Sequence, residues 1–179
     1  MRKLFLVSVC SLLASCASTH NQQYYPYQHE FLSDYSYRLP ENINTNGKKT
    51  VLVDPAVHAW GAYAADGHLI RSGIATSGGR ICPPDADESN CKTSIGTFHI
   101  TSLGDDRCYS KTYPRPNGGG LMPYCMFFNN GQALHGSPDS IVVDDNVSHG
   151  CVRMRIADAE WMRYNFAEVG TKVVVKSYD

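Results

Sequence analysis

TVLVDPAVHAWGAYAADGHLIRSGIATSG, Thr50 to Gly78, is the stretch that decides the fold class. Val51 and Val53 alternate with Leu52 and Asp54, His58 to Ala64 is small and aromatic, and Leu69 to Ala75 returns after Asp66-Gly67. Period-two alternation around an Asp-Gly pair is the pattern of strands joined by a hairpin turn. Further strands are predicted at Gly96 to Ser102, Cys125 to Asn129, Ala133 to His135 and Lys172 to Lys176, with Asn130-Gly131 turning between two of them. One helix is predicted over Ile156 to Val169, where Ala159, Met162, Phe166 and Val169 share a face and Gly170 supplies the stop. Trp161 on its edge reads as packing rather than as a ligand-stacking ring. The expectation is a mainly β domain with one main α-helix. The glycines Gly118 to Gly120 lack the lysine and helix of a phosphate loop.

The N-terminus decides what the cysteines can be. Arg2 and Lys3 precede LFLVSVCSLLA, a run too short to span a bilayer, which needs about 20 apolar residues, but suited to an export signal. LASC, Leu13 to Cys16, resembles the lipobox of bacterial lipoproteins, which implies a signal over residues 1–15 and lipid on Cys16. Residues 16–48, rich in Tyr, Asn, Gln and Pro without periodicity, read as a tether. A folded domain is expected over residues 49–177, on the periplasmic face of a bacterial envelope. Ala17 is not the aspartate linked with inner-membrane retention, so the outer membrane is favoured. Removing Arg2 and Lys3 from the 16 Lys and Arg leaves 14 against 17 Asp and Glu, a net charge near −3, which excludes a nucleic-acid partner. Oligomeric state has no signature here.

Of the seven cysteines, Cys10 leaves with the signal and Cys16 carries lipid, so five remain in an oxidising compartment and one thiol is left over. The four between 82 and 125 allow three connectivities. Chain proximity favours Cys82 with Cys91 and Cys108 with Cys125, each clipping a loop rich in Pro, Gly, Asn or Asp. None of these cysteines has the C-x-x-C spacing common at zinc sites. That leaves Cys151, in VSHGCVRM, as the free thiol. A thiol attacks only once deprotonated, and an imidazole is the commonest means, with His149 two residues away and His135 in ALHGS sixteen residues upstream. Gly150 permits a sharp turn that aims backbone N–H groups at an oxyanion. A structural His135, a merely packed Cys151, and a metal held by His135, His149 and Cys151 are the competing readings at this point.

His135-Gly136-Ser137 followed by Ser148-His149-Gly150-Cys151-Val152-Arg153-Met154 resembles the signature of the L,D-transpeptidase catalytic domain, the YkuD-type family. The likeness extends through Leu52 to Gly79, through TSIGTFHI at Thr93 to Ile100, and through VGTKVVV at the end, about residues 49 to 176 in all. The resemblance implies a β-sandwich-like fold with the helix after the cysteine. It implies Cys151 as nucleophile, His135 as the base, and the Gly136 carbonyl as orienter of the imidazole. Ser148, His149 and Gly150 would shape the elbow and oxyanion hole, and Arg153 would organise the site or meet a substrate carboxylate. The thiol is then expected to titrate low. The implied substrate is a peptidoglycan stem peptide, acylating Cys151 through its third residue with release of D-alanine; no cofactor and no metal are implied. A hydrolase of the same fold and an inactive wall-binding lipoprotein are the alternatives. Ser94 stands where the family has proline, and the loop from Cys108 to Cys125 falls where the family carries a lid.

Overall fold

The computed structural model describes residues 34–86 and 90–179. The expected signal, Cys10, the lipidation site Cys16 and the first part of the tether lie outside the described residues.

Among the described residues, nine strands form two sheets. β1 (Thr50–Asp54), β2 (Ala59–Tyr63) and β3 (Leu69–Ile74) make the expected meander; β4 (Gly96–His99) and β9 (Lys172–Val175) complete a five-stranded sheet in the order β3-β2-β1-β9-β4. β1 and β9 run parallel and the other neighbours antiparallel. The second sheet holds β5 (Ser102–Leu103), β6 (Met126–Asn129), β7 (Gln132–Ser137) and β8 (Val152–Arg155) in that order. Alternate residues of both sheets meet in one core: Val51, Val53, Trp60, Ala62, Val173 and Val175 from the first face Met126, Phe128, Leu134, Val152 and Met154 from the second. Such burial, at about 25 cal/mol per Å² of apolar surface, is the main force joining the layers.

Four expectations are corrected. The segment read as one strand from Gly96 to Ser102 is two, β4 and β5, which belong to different sheets. β8 is a strand the sequence reading missed: four residues with Val152 and Met154 buried and both arginines half-exposed are too short to show periodicity against the helix that follows.

The helix itself, α1, ends at Trp161, and Met162–Phe166 form a π-turn closed by Ala167 N–H donating to the Met162 carbonyl at 2.7 Å. Ala159, Met162 and Phe166 enter the core as expected, but Val169 is 63 % exposed, because the chain has already left the helix to feed β9.

The packed chain also begins before residue 49. Leu39 is buried with Leu52, Ala59 and Tyr63, flanked by Tyr35 and Ile43, on the outer face of the first sheet. The Tyr63 hydroxyl donates to the Pro40 carbonyl at 2.8 Å. This covering explains why β1 is buried on both faces despite its alternating sequence. Residues 34–48 are therefore domain rather than tether.

Candidate active site

β7 and β8 run parallel with Leu134 opposite Val152 and His135 opposite Arg153. Cys151 immediately precedes β8, level with Ala133. Side chains alternate across a sheet, so Leu134 and Val152 enter the core while Ala133, His135, Cys151 and Arg153 share the opposite face. Cys151 accordingly packs with Ala133, Met122 and the Cys108–Cys125 bridge, outside the main core.

His135 is buried, 6 % exposed, and its Nδ1 lies 2.8 Å from the Gly136 carbonyl and 3.4 Å from the Ser137 hydroxyl. A carbonyl only accepts, so Nδ1 carries the proton and Nε2 is left as the acceptor. Burial pulls the imidazole pKa down to about 4, opposed by the Gly136 bond and reinforced by the charge of Arg153. Burial also pushes the Cys151 thiol up, against a backbone hydrogen bond from Ala133 and the attraction of Arg153. At neutral pH the thiol and the imidazole are thus both uncharged, and the thiol donates toward the Gly131 carbonyl at 3.8 Å. The expectation of a thiol that titrates low is corrected: desolvation outweighs the single nearby cation. Arg153 is half-buried, its pKa lowered by the same desolvation, and its charge is felt by Cys151 and by Asp85.

The turn before Cys151 is held from several sides. Gly150 has φ +114°, open to glycine alone without strain, and a Cβ on Gly78 would stand 2.7 Å from Gly150 Cα. Ser148 N–H donates to Ser77 O at 3.0 Å, and the Ser148 hydroxyl donates to Cys151 O while accepting Gly150 N–H at 3.2 Å. Gly150 N–H therefore faces Ser148 rather than a substrate, and the Cys151 N–H is the donor beside the thiol.

Thr93 donates its hydroxyl to Gly150 O and accepts Gly78 N–H, both at 2.9 Å. Tyr178 accepts Thr93 N–H at 2.8 Å and donates to Gly78 O at 2.6 Å. Ser94, in place of the family proline, uses the N–H a proline lacks to reach Gln132 Oε1 at 3.1 Å.

His149 is held by side chains that sequence reasoning missed: its Nε2 lies 2.6 Å from Asp85 Oδ1, and its ring stacks on Tyr113 at 4.1 Å. Nothing in the Asp-rich run around Asp85 distinguished it. Thr93 lay inside a segment already singled out, and Tyr178 beyond the expected end of the domain.

Cys82 is bonded to Cys91 and Cys108 to Cys125. Both loops border a cleft of about 1180 Å³ that reaches Cys151 and His149, with Lys92, Lys111, Arg107 and Arg163 on its walls. His135 and Arg153 do not line it. Among the described residues no cluster of His, Cys, Asp or Glu could hold a metal ion.

The result is a two-layer β domain that sets a thiol and an oriented imidazole on one sheet face, below a stapled loop. Residues 48–175 match the family model of the L,D-transpeptidase catalytic domain, YkuD, and the chain belongs to that family. Its fold is shared with the L,D-transpeptidase (residues 123–326) of Xylanimonas cellulosilytica, at 24 % identity and TM-score 0.64, over 78 % of this chain and 66 % of that one. The L,D-transpeptidase of Stackebrandtia nassauensis matches at 24 % identity and TM-score 0.61, over 82 % and 62 %. A third, L,D-transpeptidase 3 of Mycobacterium tuberculosis in complex with a faropenem-derived adduct, matches at 20 % identity and TM-score 0.55, over 72 % and 60 %. The chain thus spans about two thirds or less of these chains. No curated protein matches it.

Proposed function

We propose that this protein is an L,D-transpeptidase acting on peptidoglycan stem peptides, with Cys151 as nucleophile and His135 as base. The observation that carries the reading is the His135 Nδ1 bond to the Gly136 carbonyl, which dedicates Nε2 to proton transfer on the strand face it shares with Cys151. The uncharged resting pair assigns the order of events. Nε2 takes the thiol proton as Sγ attacks the carbonyl of the third stem residue, so no free thiolate accumulates.

The tetrahedral oxyanion is met by the Cys151 N–H, and Arg153 offsets the developing charge. Collapse forms the thioester, and the imidazolium returns its proton to the departing D-alanine amine. An amine then attacks the thioester by the reverse proton path. Lys92, Lys111 and Arg163 on the cleft walls suit a donor peptide that carries carboxylates, Arg107 being paired with Asp105 on the same wall.

The export signal, lipid on Cys16 and an outer-membrane destination belong to the same reading, supported by the sequence of residues 1–16 and by two disulfides in one small domain. The test is incubation of the protein with disaccharide-tetrapeptide beside Cys151→Ala, followed by mass spectrometry. A thioester and loss of D-alanine that vanish in the variant support acyl transfer, and dimers identify cross-linking. Tripeptide without dimers indicates a hydrolase. Absence of any adduct, with binding intact, would overturn the enzymatic reading. Acylation by faropenem, read as a mass shift on Cys151, is an expected second outcome.

A further inference from the structure

Two loops outside the signature segments meet at His149. Asp85, inside the Cys82–Cys91 staple, faces the imidazole Nε2 at 2.6 Å, with Asp85 30 % and His149 18 % exposed. Tyr113, inside the Cys108–Cys125 staple, stacks its ring on the imidazole at 4.1 Å between centroids and 29° between planes. The loops also meet directly: Arg115 N–H donates to Asp85 Oδ2 at 3.3 Å, and the Arg115 guanidinium lies 5.5 Å from the Tyr113 ring centroid. The contact with His149 holds the Asp85 carboxyl below its usual range.

On its other side the turn is already fixed through Thr93 and Gly150 O, so His149 is the point at which both stapled loops grip the backbone leading to Cys151. Nε2–H on a carboxylate is a charge-assisted hydrogen bond, and it also sets the ring's orientation. Tyr113 and His149 both line the cleft, whereas Asp85 lies in a recess beyond it with Lys111 and Arg115.

We propose that Asp85 and Tyr113 are positioning residues for acyl transfer: they clamp His149 between the two stapled loops, holding the Cys151 N–H in line with the reacting carbonyl and closing the Cys108–Cys125 loop over the acyl donor. The proposal rests on the transpeptidase reading for its chemistry. Neither residue needs to touch the reacting atoms. Their effect falls on the rate of thioester formation, because misplacement of an oxyanion donor is felt in the transition state more than in the bound donor.

The test compares the full chain with Asp85→Ala, Asp85→Asn, Tyr113→Ala and Tyr113→Phe, following acylation by disaccharide-tetrapeptide and, separately, alkylation of Cys151 by iodoacetamide, which needs no oxyanion donor. The alanine variants should acylate about tenfold to a hundredfold more slowly at saturating donor. Asn, which keeps an acceptor, and Phe, which keeps the ring, should return most of the rate, and alkylation should not fall in any of the four. Acylation within about twofold of wild type in both alanine variants, or alkylation falling in step with acylation, would overturn the clamp.

If the wild-type chain is not acylated at all, the functional reading fails and the clamp is decided by amide hydrogen exchange. Faster exchange at Gly150 and Cys151 in Asp85→Ala and Tyr113→Ala supports it, and unchanged exchange rejects it.

Discussion

Cys151 and His135 show how far burial can override the reflex assignment of a thiolate–imidazolium pair. Each is held in its neutral form by desolvation; the charge of Arg153 adds to this at His135 and opposes it at Cys151 without overcoming it. Alkylation of Cys151 by iodoacetamide should therefore be slow at pH 7 and rise only in the alkaline range; a half-maximal rate below pH 7 would contradict this.

The same burial links His135 to stability. Its pKa falls from 6.5 in the unfolded chain to about 4 in the fold, so the unfolded state binds more protons between those values. Stability is retained above pH 6.5 and lost as pH falls toward 4, by about 3 kcal/mol from this residue. Urea unfolding across that window should show the slope in wild type and a flatter one in His135→Gln. His135→Ala should abolish acylation, whereas His149→Ala should only slow it, as single-turnover mass spectrometry would show. The two histidines were legible in the sequence as candidates, and the family signature ranked them. Their charges were not legible, since these depend on how completely the sheet face is covered.

The strands and turns bring two segments sixteen residues apart side by side. Parallel pairing of β7 with β8 sets His135 and Cys151 on one face, and a shift of one residue would turn either side chain into the core. The glycine turn before Cys151 depends on a partner much farther away along the chain: a Cβ on Gly78 would lie 1.8 Å from the Cys91 carbonyl as well as against Gly150. Gly78→Ala should cost roughly 3 kcal/mol or more and suppress acylation, measured by thermal unfolding and adduct formation. By contrast Gly131, beside no atom within 4 Å although at φ +85°, should lose far less stability as alanine. Most strands could be read from alternation. β8 could not, because four residues fused to a helix give no period of their own, and the π-turn that ends the helix early leaves no mark in the pattern of Ala159, Met162 and Phe166.

Across the molecule, the domain is larger at both ends than the segment matching the family. Residues 34–48 lay Leu39 over Leu52 and Tyr63, while Arg38 pairs both nitrogens with Asp144 at 2.6 and 2.9 Å and donates to the Val57 carbonyl. Asp144 belongs to the segment that leads into the Cys151 turn, so the chain nearest the tether grips the approach to the site. A chain beginning at residue 48 should unfold about 5 °C lower, since burying one leucine is worth about 2 kcal/mol and each kcal/mol moves Tm by about 2–4 °C at this size. Differential scanning calorimetry of the two lengths checks it, and an unchanged Tm would show that the covering is loose. At the other end, Tyr178→Phe removes the hydroxyl bridging Thr93 and Gly78, which should slow acylation more than it lowers Tm.

The sequence by itself determined the mainly β class, the family, and which thiol and which histidines were candidates, because alternation, turn residues and the spaced HGS and SHGC segments are local in the chain. It also made Cys82 with Cys91 and Cys108 with Cys125 the favoured partners among three connectivities. The tertiary structure decided what depends on distant parts meeting: the bonds among those cysteines, the neutral resting state of Cys151 and His135, and the transfer of Gly150 N–H to Ser148. It also brought Asp85 and Tyr113 onto His149 from two stapled loops. Burial and hydrogen-bond partnership are properties of neighbours in space, and no period along the chain encodes them.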